Sequence, residues 1–193
     1  MILRDVTLVD SGERRTGTIA FDEGSGTITA VGSDDEVDVS GDEPAVSLPG
    51  YSVLPGLVDA HVHYSLSGER SVEDVVDMSD AELTLAETRN ARRTLESGIT
   101  GVRVMGARDI DPQVRDAIEA GDVPGPRTVA NCRSITITGG HGHHLGREIT
   151  GPSDARRAVR EQVKQGAEFI KFMTTGGAAT AGALERAARV GRA

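Results

Sequence analysis

Tryptophan is absent from this sequence, aromatic residues make up 3% of it, and cysteine occurs once, at Cys132. So few aromatics leave little flat surface for stacking bases or sugars. A single cysteine forbids an intrachain disulfide and excludes a metal site built from cysteine alone. No apolar run approaches the roughly 20 residues of a membrane span. The start, Met1-Ile2-Leu3-Arg4-Asp5, has neither the basic opening nor the apolar stretch of a secretory signal. Lysine is nearly missing too: Lys164 and Lys171 are the two among 21 basic residues, set against 30 acidic ones. A net charge of -9 argues against a nucleic-acid partner, because neutralising phosphates takes clustered Lys and Arg. A soluble cytoplasmic protein with no membrane or nucleic-acid partner is expected.

The acid-rich, lysine-poor balance suits a protein dissolved in concentrated salt, where hydrated carboxylates keep it soluble and screening weakens their repulsion. A GC-rich genome favouring arginine codons accounts for the lysine deficit equally well. A chain of 193 residues buries about 70% of its unfolded surface. It is long enough for one ordinary domain, or for a small module attached to part of a larger one.

Two rhythms divide it. Up to residue 52, short β-rich segments at 6–9, 18–21 and 27–31 alternate with turn material such as Ser11-Gly12 and Glu23-Gly24-Ser25-Gly26, which predicts a small β-rich domain. The acidic stretch 34–43 reads as a solvated loop. Over 53–193 strands alternate with helices. A first strand is expected over 52–62, interrupted at Pro55-Gly56. A helix follows, capped by Ser79 with Glu82 as its capping-box partner and closed by Gly98. A second strand is expected over 99–105, then a helix capped by Asp111, with Pro112 inside its start and Gly121 past its end. A third strand is expected over 127–137. Ser153 is expected to cap a helix whose Ala155, Ala158, Val159 and Val163 share one face, with Gly166 ending it. A fourth strand is expected over 168–174, and none in the Ala- and Arg-rich segment 178–193. Strands and helices alternating in this way predict a parallel sheet covered by helices, an α/β fold. A closed (β/α)8 barrel needs eight strands. Four βα units make the N-terminal part of one, truncated after the fourth strand.

The chemistry-bearing residues sit at strand ends. His61 and His63 close the first strand, and residues i and i+2 of a strand share a face. Two neutral imidazoles aimed together suit Zn²⁺ or a similar divalent ion. Taken alone, the pair reads more simply as two surface histidines at a strand end. Lys171 ends the fourth strand among Phe169, Ile170, Phe172 and Met173, where its charge needs compensation. A neighbouring carboxylate would provide it in the simplest case. The loop Gly140-His141-Gly142-His143-His144 gathers the other three histidines, as a ligand-facing turn, an adventitious metal site or a solvated loop. Gly176-Gly177 lacks the surrounding pattern of a phosphate-binding loop.

Leu54-Pro55-Gly56-Leu57-Val58-Asp59-Ala60-His61-Val62-His63 resembles the first-strand motif of the amidohydrolase superfamily. Gly98-Ile99-Thr100-Gly101-Val102-Arg103, Gly139-Gly140-His141-Gly142 and Ile170-Lys171-Phe172-Met173-Thr174-Thr175-Gly176-Gly177 resemble its second, third and fourth strand ends in the right order. The β-rich segment before them resembles its small composite domain. The nearest branch is the imidazolonepropionase-like and prolidase-like group, which includes Xaa-Pro dipeptidases.

The resemblance implies a metal-dependent amidohydrolase that cleaves C–N bonds of an amide, dipeptide or cyclic amide with a metal-activated water. It implies one or two divalent ions, zinc first, held by His61, His63 and a carboxylated Lys171, and a substrate-binding role for His141. Lys171 favours a carboxyl-bearing dipeptide such as Xaa-Pro over an imidazolone-like ring. The family also uses two later histidines and an aspartate that handles the water proton. After Lys171 the sequence contains neither residue type. Two readings therefore stand: the N-terminal half of such a hydrolase, or a non-catalytic half-barrel remnant or a half needing a partner chain. Open sheet edges would make the half self-associate.

Overall fold

A computed structural model of the chain describes residues 1–37, 43–177 and 180. They fall into two units, Met1–Pro55 and Gly56–Ala193. The readings of 178–193 as strandless and of 38–42 as loop lie outside the described residues. Among the described residues no helix is long and apolar enough to cross a membrane.

The first unit is a sheet of short strands: β1 (Ile2–Asp10), β2 (Glu13–Asp22), β3 (Thr27–Gly32), β4 (Ala45–Ser47) and β5 (Ser52–Val53). Its order is β3-β2-β1-β4, with β5 also on β1. The β1–β2 hairpin closes through Ser11 and Gly12, both at positive φ, the turn whose twist matches the flanking strands. Even-numbered Ile2, Val6 and Leu8 of β1 are buried, while β2 buries the consecutive run from Gly17 to Ala20. Ile19 thus packs with Val6 and Leu8, and Ala20 packs with Ile2 in a separate cluster. Ser52 and Val53 belong to this sheet, pairing in parallel with Thr7 and Leu8.

The expected strand 52–62 is therefore two strands, β5 and β6 (Leu57–Val62), separated by a proline that has no N–H to give a ladder. In the second unit α1 (Val72–Asp77), α2 (Asp80–Glu96), β7 (Ile99–Val104), α3 (Asp111–Glu119) and β8 (Arg127–Ala130) come next. After them stand β9 (Ile135–Ile137), β10 (Arg147–Ile149), α4 (Gly151–Lys164) and β11 (Phe172–Met173). β6, β7 and β8 form one parallel sheet in that order, and β10-β9-β11 a second. Backbone bonds from Glu168 N–H to the Ala130 carbonyl and from Ile135 N–H to the Lys171 carbonyl, with Phe172 and Met173 paired to Ile135 and Thr136, lay segment 168–173 along 130–136. One long stretch thus links both sheets. It splits into β8 and β9 because Cys132 and Arg133 turn aside to Gln162 of α4, the Arg133 N–H reaching its side-chain oxygen at 2.8 Å.

The capping box of α2 forms as expected, with Ser79 and Glu82 bonded reciprocally. A second box, Ser71 with Asp74, starts the short α1; neither α1 nor β10 is among the elements expected from the sequence. Two expected caps are corrected. Asp111 lies inside the first turn of α3, after Ile110 at the cap position, and its carboxyl turns inward to accept the Ala107 N–H. Ser153 lies inside α4, whose cap position is Thr150. Asp154 closes that turn by accepting the Thr150 N–H at 3.0 Å. The buried face of α4 runs through Ala158 and Gln162, and Val163 is exposed.

Val102 and Val104 of β7 pack with Val75, Leu83, Ala91, Ile110, Val114 and Tyr64 into the main core. The opposite face of the sheet carries Val58, Arg103, Arg127 and Val129 around an open hollow, and Val58 is 75% exposed. Within the core sit two carboxyl groups, Glu87 at 0% and Asp111 at 1% exposure. Both Glu87 oxygens lack a partner among the described residues. Burial, reinforced by the neighbouring Asp111 charge and offset in part by Arg108, pushes the Glu87 carboxyl far above the usual range. Burial does the same to Asp111.

An acid whose folded pKa is raised keeps its proton in the folded chain after the unfolded chain has released it. Its contribution to stability is then largest below about pH 4 and declines as pH rises through neutrality toward the folded value. Glu87→Gln should remove one member of the pair. Its melting temperature is expected to exceed the parent's at pH 8, by roughly 2–4 °C per kcal/mol recovered, with the gap closing at pH 5. Calorimetry across that range checks it, and equal gaps at both pH values would contradict it.

Candidate metal and substrate site

Parallel strands place all their C-terminal ends on one rim, where active sites of parallel barrels lie. β6 delivers His61 and His63 there. The β6–β7 register slips between Asp59 and Val62, and an irregularity of this kind bends the strand and re-aims the side chains at its end. The two rings lie 5.7 Å apart between centroids. His61 is exposed and His63 half-buried.

His63 Nδ1 lies 2.8 Å from the Gly106 carbonyl oxygen, just past the end of β7. A carbonyl oxygen can only accept, so Nδ1 carries the hydrogen. In the neutral ring Nε2 is then the free lone pair, the arrangement typical of a metal-ligating histidine. Burial holds the His63 pKa below its ordinary value; the Gly106 bond opposes this, while the nearby His61 and Lys171 charges add to it. The neutral, ligand-competent form is thereby favoured.

A cavity of about 100 Å³ opens on this rim, lined by His63, Gly106, Ser134, His141 and Met173 among others. Residues from the ends of β6, β7, β9 and β11 therefore meet at one place. His141 Nδ1 is buried there with no partner among the described residues, a polar atom left to serve something in the cavity. Lys171 precedes Met173 by two residues and shares its face. It does not line the cavity, yet its charge bears on His63. His143 and His144 go elsewhere: their rings lie 3.7 Å apart, His143 Nδ1 bonds back to the Gly140 carbonyl at 2.9 Å, and His144 is exposed.

Among the described residues no cluster of three His, Cys, Asp or Glu side chains could by itself enclose an ion. The donors that fit a divalent ion are the two imidazoles, with Lys171 on the same rim. Sequence reasoning overlooked Gly106 and Ser134. An apolar strand ending in Met105-Gly106 was the available signal for the first.

The sequence pattern of the amidohydrolase family matches residues 52–191. The structure is similar to that of an amidohydrolase 29% identical in sequence, with a TM-score of 0.79 over 93% of this chain and 48% of that one. It is similar to a prolidase complexed with N-methylphosphonate-L-proline, at 26% identity and a TM-score of 0.79 over 93% of this chain and 47% of that one. It is also similar to a Xaa-Pro dipeptidase with methionine bound in the active site, at 25% identity and a TM-score of 0.78 over 98% and 54%. No curated protein sequence matches. The chain spans about half the length of the solved structures it resembles.

A Cβ at Gly177 would stand 2.4 Å from His141 Nε2, closer than atoms tolerate, though a ring on a rotatable side chain can yield. Gly177→Ala is expected to shift the His141 ring resonances clearly while changing stability by less than about 1 kcal/mol. NMR of the histidine side chains alongside thermal melts checks both halves of that expectation.

Proposed function

The chain belongs to the amidohydrolase family, and from that premise we propose that it supplies the first part of a divalent-metal site for hydrolysing an amide C–N bond. The proposed substrate is a dipeptide ending in a free carboxylate, Xaa-Pro foremost. The observation that carries this reading is the convergence of His63, tautomer fixed, and His141, its Nδ1 unpartnered among the described residues, on one cavity at the strand ends. Similarity to a prolidase and to a Xaa-Pro dipeptidase supports the choice of substrate.

In this reading His61 and His63 each offer a neutral imidazole nitrogen to one ion, zinc suiting such donors well. A bound divalent ion supplies Lewis-acid polarisation of the scissile carbonyl and activation of water. Lys171 is the third donor, once its deprotonated amine adds CO₂ to give a carbamate anion and a released proton. A guanidinium could not take that route, since it stays protonated. His141 holds the substrate carboxylate or polarises the carbonyl, using the hydrogen-bonding capacity left over at Nδ1. The cavity lining holds no acidic side chain among the described residues, so an anionic substrate end meets no like charge there. The aspartate and the two later histidines of the family pattern have no counterpart after Lys171. The part proposed for this chain is therefore the first-half ligands and the substrate histidine.

Titrating the metal-free chain with Zn²⁺ in a calorimeter tests the ligand set. His61→Ala and His63→Ala should each weaken binding at least tenfold, and Lys171→Arg should behave like Lys171→Ala. A His61→Ala, His63→Ala double variant that binds as tightly as the parent would sink the metal assignment. With zinc bound, a phosphonate dipeptide analogue ending in proline should lose about tenfold in affinity on His141→Ala. Equal affinity for an analogue without the carboxylate would exclude the dipeptide reading.

A further inference from the structure

The turn that holds His63 is itself clamped from both sides. Before it, the Met105 carbonyl accepts from Asn131 Nδ2 and from Ser134 Oγ, both at 3.1 Å. At its apex Gly106 sits at φ +82°, and a Cβ there would fall 1.9 Å from the Cys132 carbonyl oxygen. The backbone is packed so closely that no side chain fits. After it, the buried Ala107 N–H donates to Asp111 Oδ2 at 3.3 Å. The group that the turn presents to His63 is the Gly106 carbonyl, and the ring takes it.

Asp111 is an expensive choice for this place. It is 1% exposed, and its Oδ1 has no partner among the described residues. It sits near a second buried carboxyl, Glu87, and near Asp109. It does not occupy the cap position, which is Ile110, and Pro112 already suits the start of α3. An apolar residue of similar volume would avoid the cost of burying a polar group with one oxygen unsatisfied. What Asp111 does that an apolar residue could not is accept the Ala107 N–H.

We infer that Asp111 is a positioning residue: by anchoring Ala107 it fixes the Gly106 carbonyl, which sets the tautomer and aim of His63. The inference rests on the proposed metal role of His63 for its purpose but not for its test. The chain of contacts is Asp111 to Ala107 N–H, then Gly106 C=O to His63 Nδ1–H, leaving Nε2 open on the cavity. Groups that orient a metal-ligating histidine typically affect metal affinity 10- to 100-fold.

The test reads the histidine tautomers of the metal-free, ¹⁵N-labelled chain by long-range ¹H–¹⁵N NMR. In the parent, His63 should be a single Nδ1–H tautomer and the Ala107 amide should be protected from exchange. Asp111→Ala should give a tautomer mixture at His63 and, in a separate titration, at least tenfold weaker Zn²⁺ binding. Asp111→Asn, which keeps an acceptor oxygen, should restore both. Val114→Ala, a destabilising change in the same helix that leaves the turn alone, should alter neither. Should Asp111→Ala not fold, Asp111→Val fills the space without an acceptor and takes its place. A folded variant lacking the acceptor but showing the parent's His63 tautomer overturns the inference, as does a freely exchanging Ala107 amide in the parent. A parent that shows the expected tautomer but binds no Zn²⁺ would instead sink the metal proposal and leave the positioning role standing.

Discussion

The hydrogen bond from His63 Nδ1 to the Gly106 carbonyl ties the end of β6 to the end of β7 and sets which ring nitrogen His63 keeps free. Without it the ring could expose either nitrogen. With it, Nε2 is committed outward before any ligand arrives, so little orientational freedom remains to be lost on binding. The bond works because the acceptor is backbone, and that backbone is pinned by Asn131, Ser134 and Asp111. Precision at the rim is thus drawn from the start of α3 on one side of the glycine turn and from the link between β8 and β9 on the other.

That arrangement has an energetic cost elsewhere in the same layer. Glu87 and Asp111 are buried in the core, where an ionised carboxylate is disfavoured, and burial raises the pKa of both. The stability lost there as pH rises is set against packing such as Leu83, whose truncation to alanine in a core of this kind costs about 2–5 kcal/mol. Arg108 partly relieves Glu87. Its guanidinium donates to the carbonyls of Val75, Val76 and Met78, the end of α1 that leads into α2. The polar groups near the core therefore join helix ends to the turn behind His63, tasks that apolar side chains cannot perform.

Much of this was legible in the sequence where the signal is local. The Ser79–Glu82 box lies within four residues, and it formed; the glycines after α2, α3 and α4 end those helices at positive φ. Tertiary contacts hid the rest. Nothing near residue 132 announces that Cys132 and Arg133 will abandon the strand for Gln162, about 30 residues away. Asp111 carries the composition of a cap, and only the placement of Ala107 draws it inward. β10 is three residues long and gains its ladder from Ile135–Ile137, a pairing that no period-2 pattern of that length reveals. At the rim, the His61–His63 spacing was readable because a strand alternates faces. The Gly106 carbonyl was not, because a backbone acceptor has no sequence signature.

The charge distribution bears on which ligands can reach the rim. The chain carries a net charge of -9, yet the cavity beside His63 and His141 is lined, among the described residues, without a single carboxylate. Exposed acids such as Asp22, Asp34, Asp74 and Glu82 are spent instead on turns and helix starts, where neighbouring N–H and O–H groups hold their pKa values low. An anion approaching the rim is therefore repelled by the net charge at long range, yet meets no carboxylate in the cavity lining among the described residues. Long-range repulsion survives only within a Debye length, about 8 Å at physiological ionic strength and about 3 Å at 1 M salt. The short-range contacts lie within either distance. Concentrated salt would thus strip away the unfavourable part of the encounter while leaving short-range contacts largely in place, so an acid-rich surface is compatible with the proposed carboxylate-binding role of the rim.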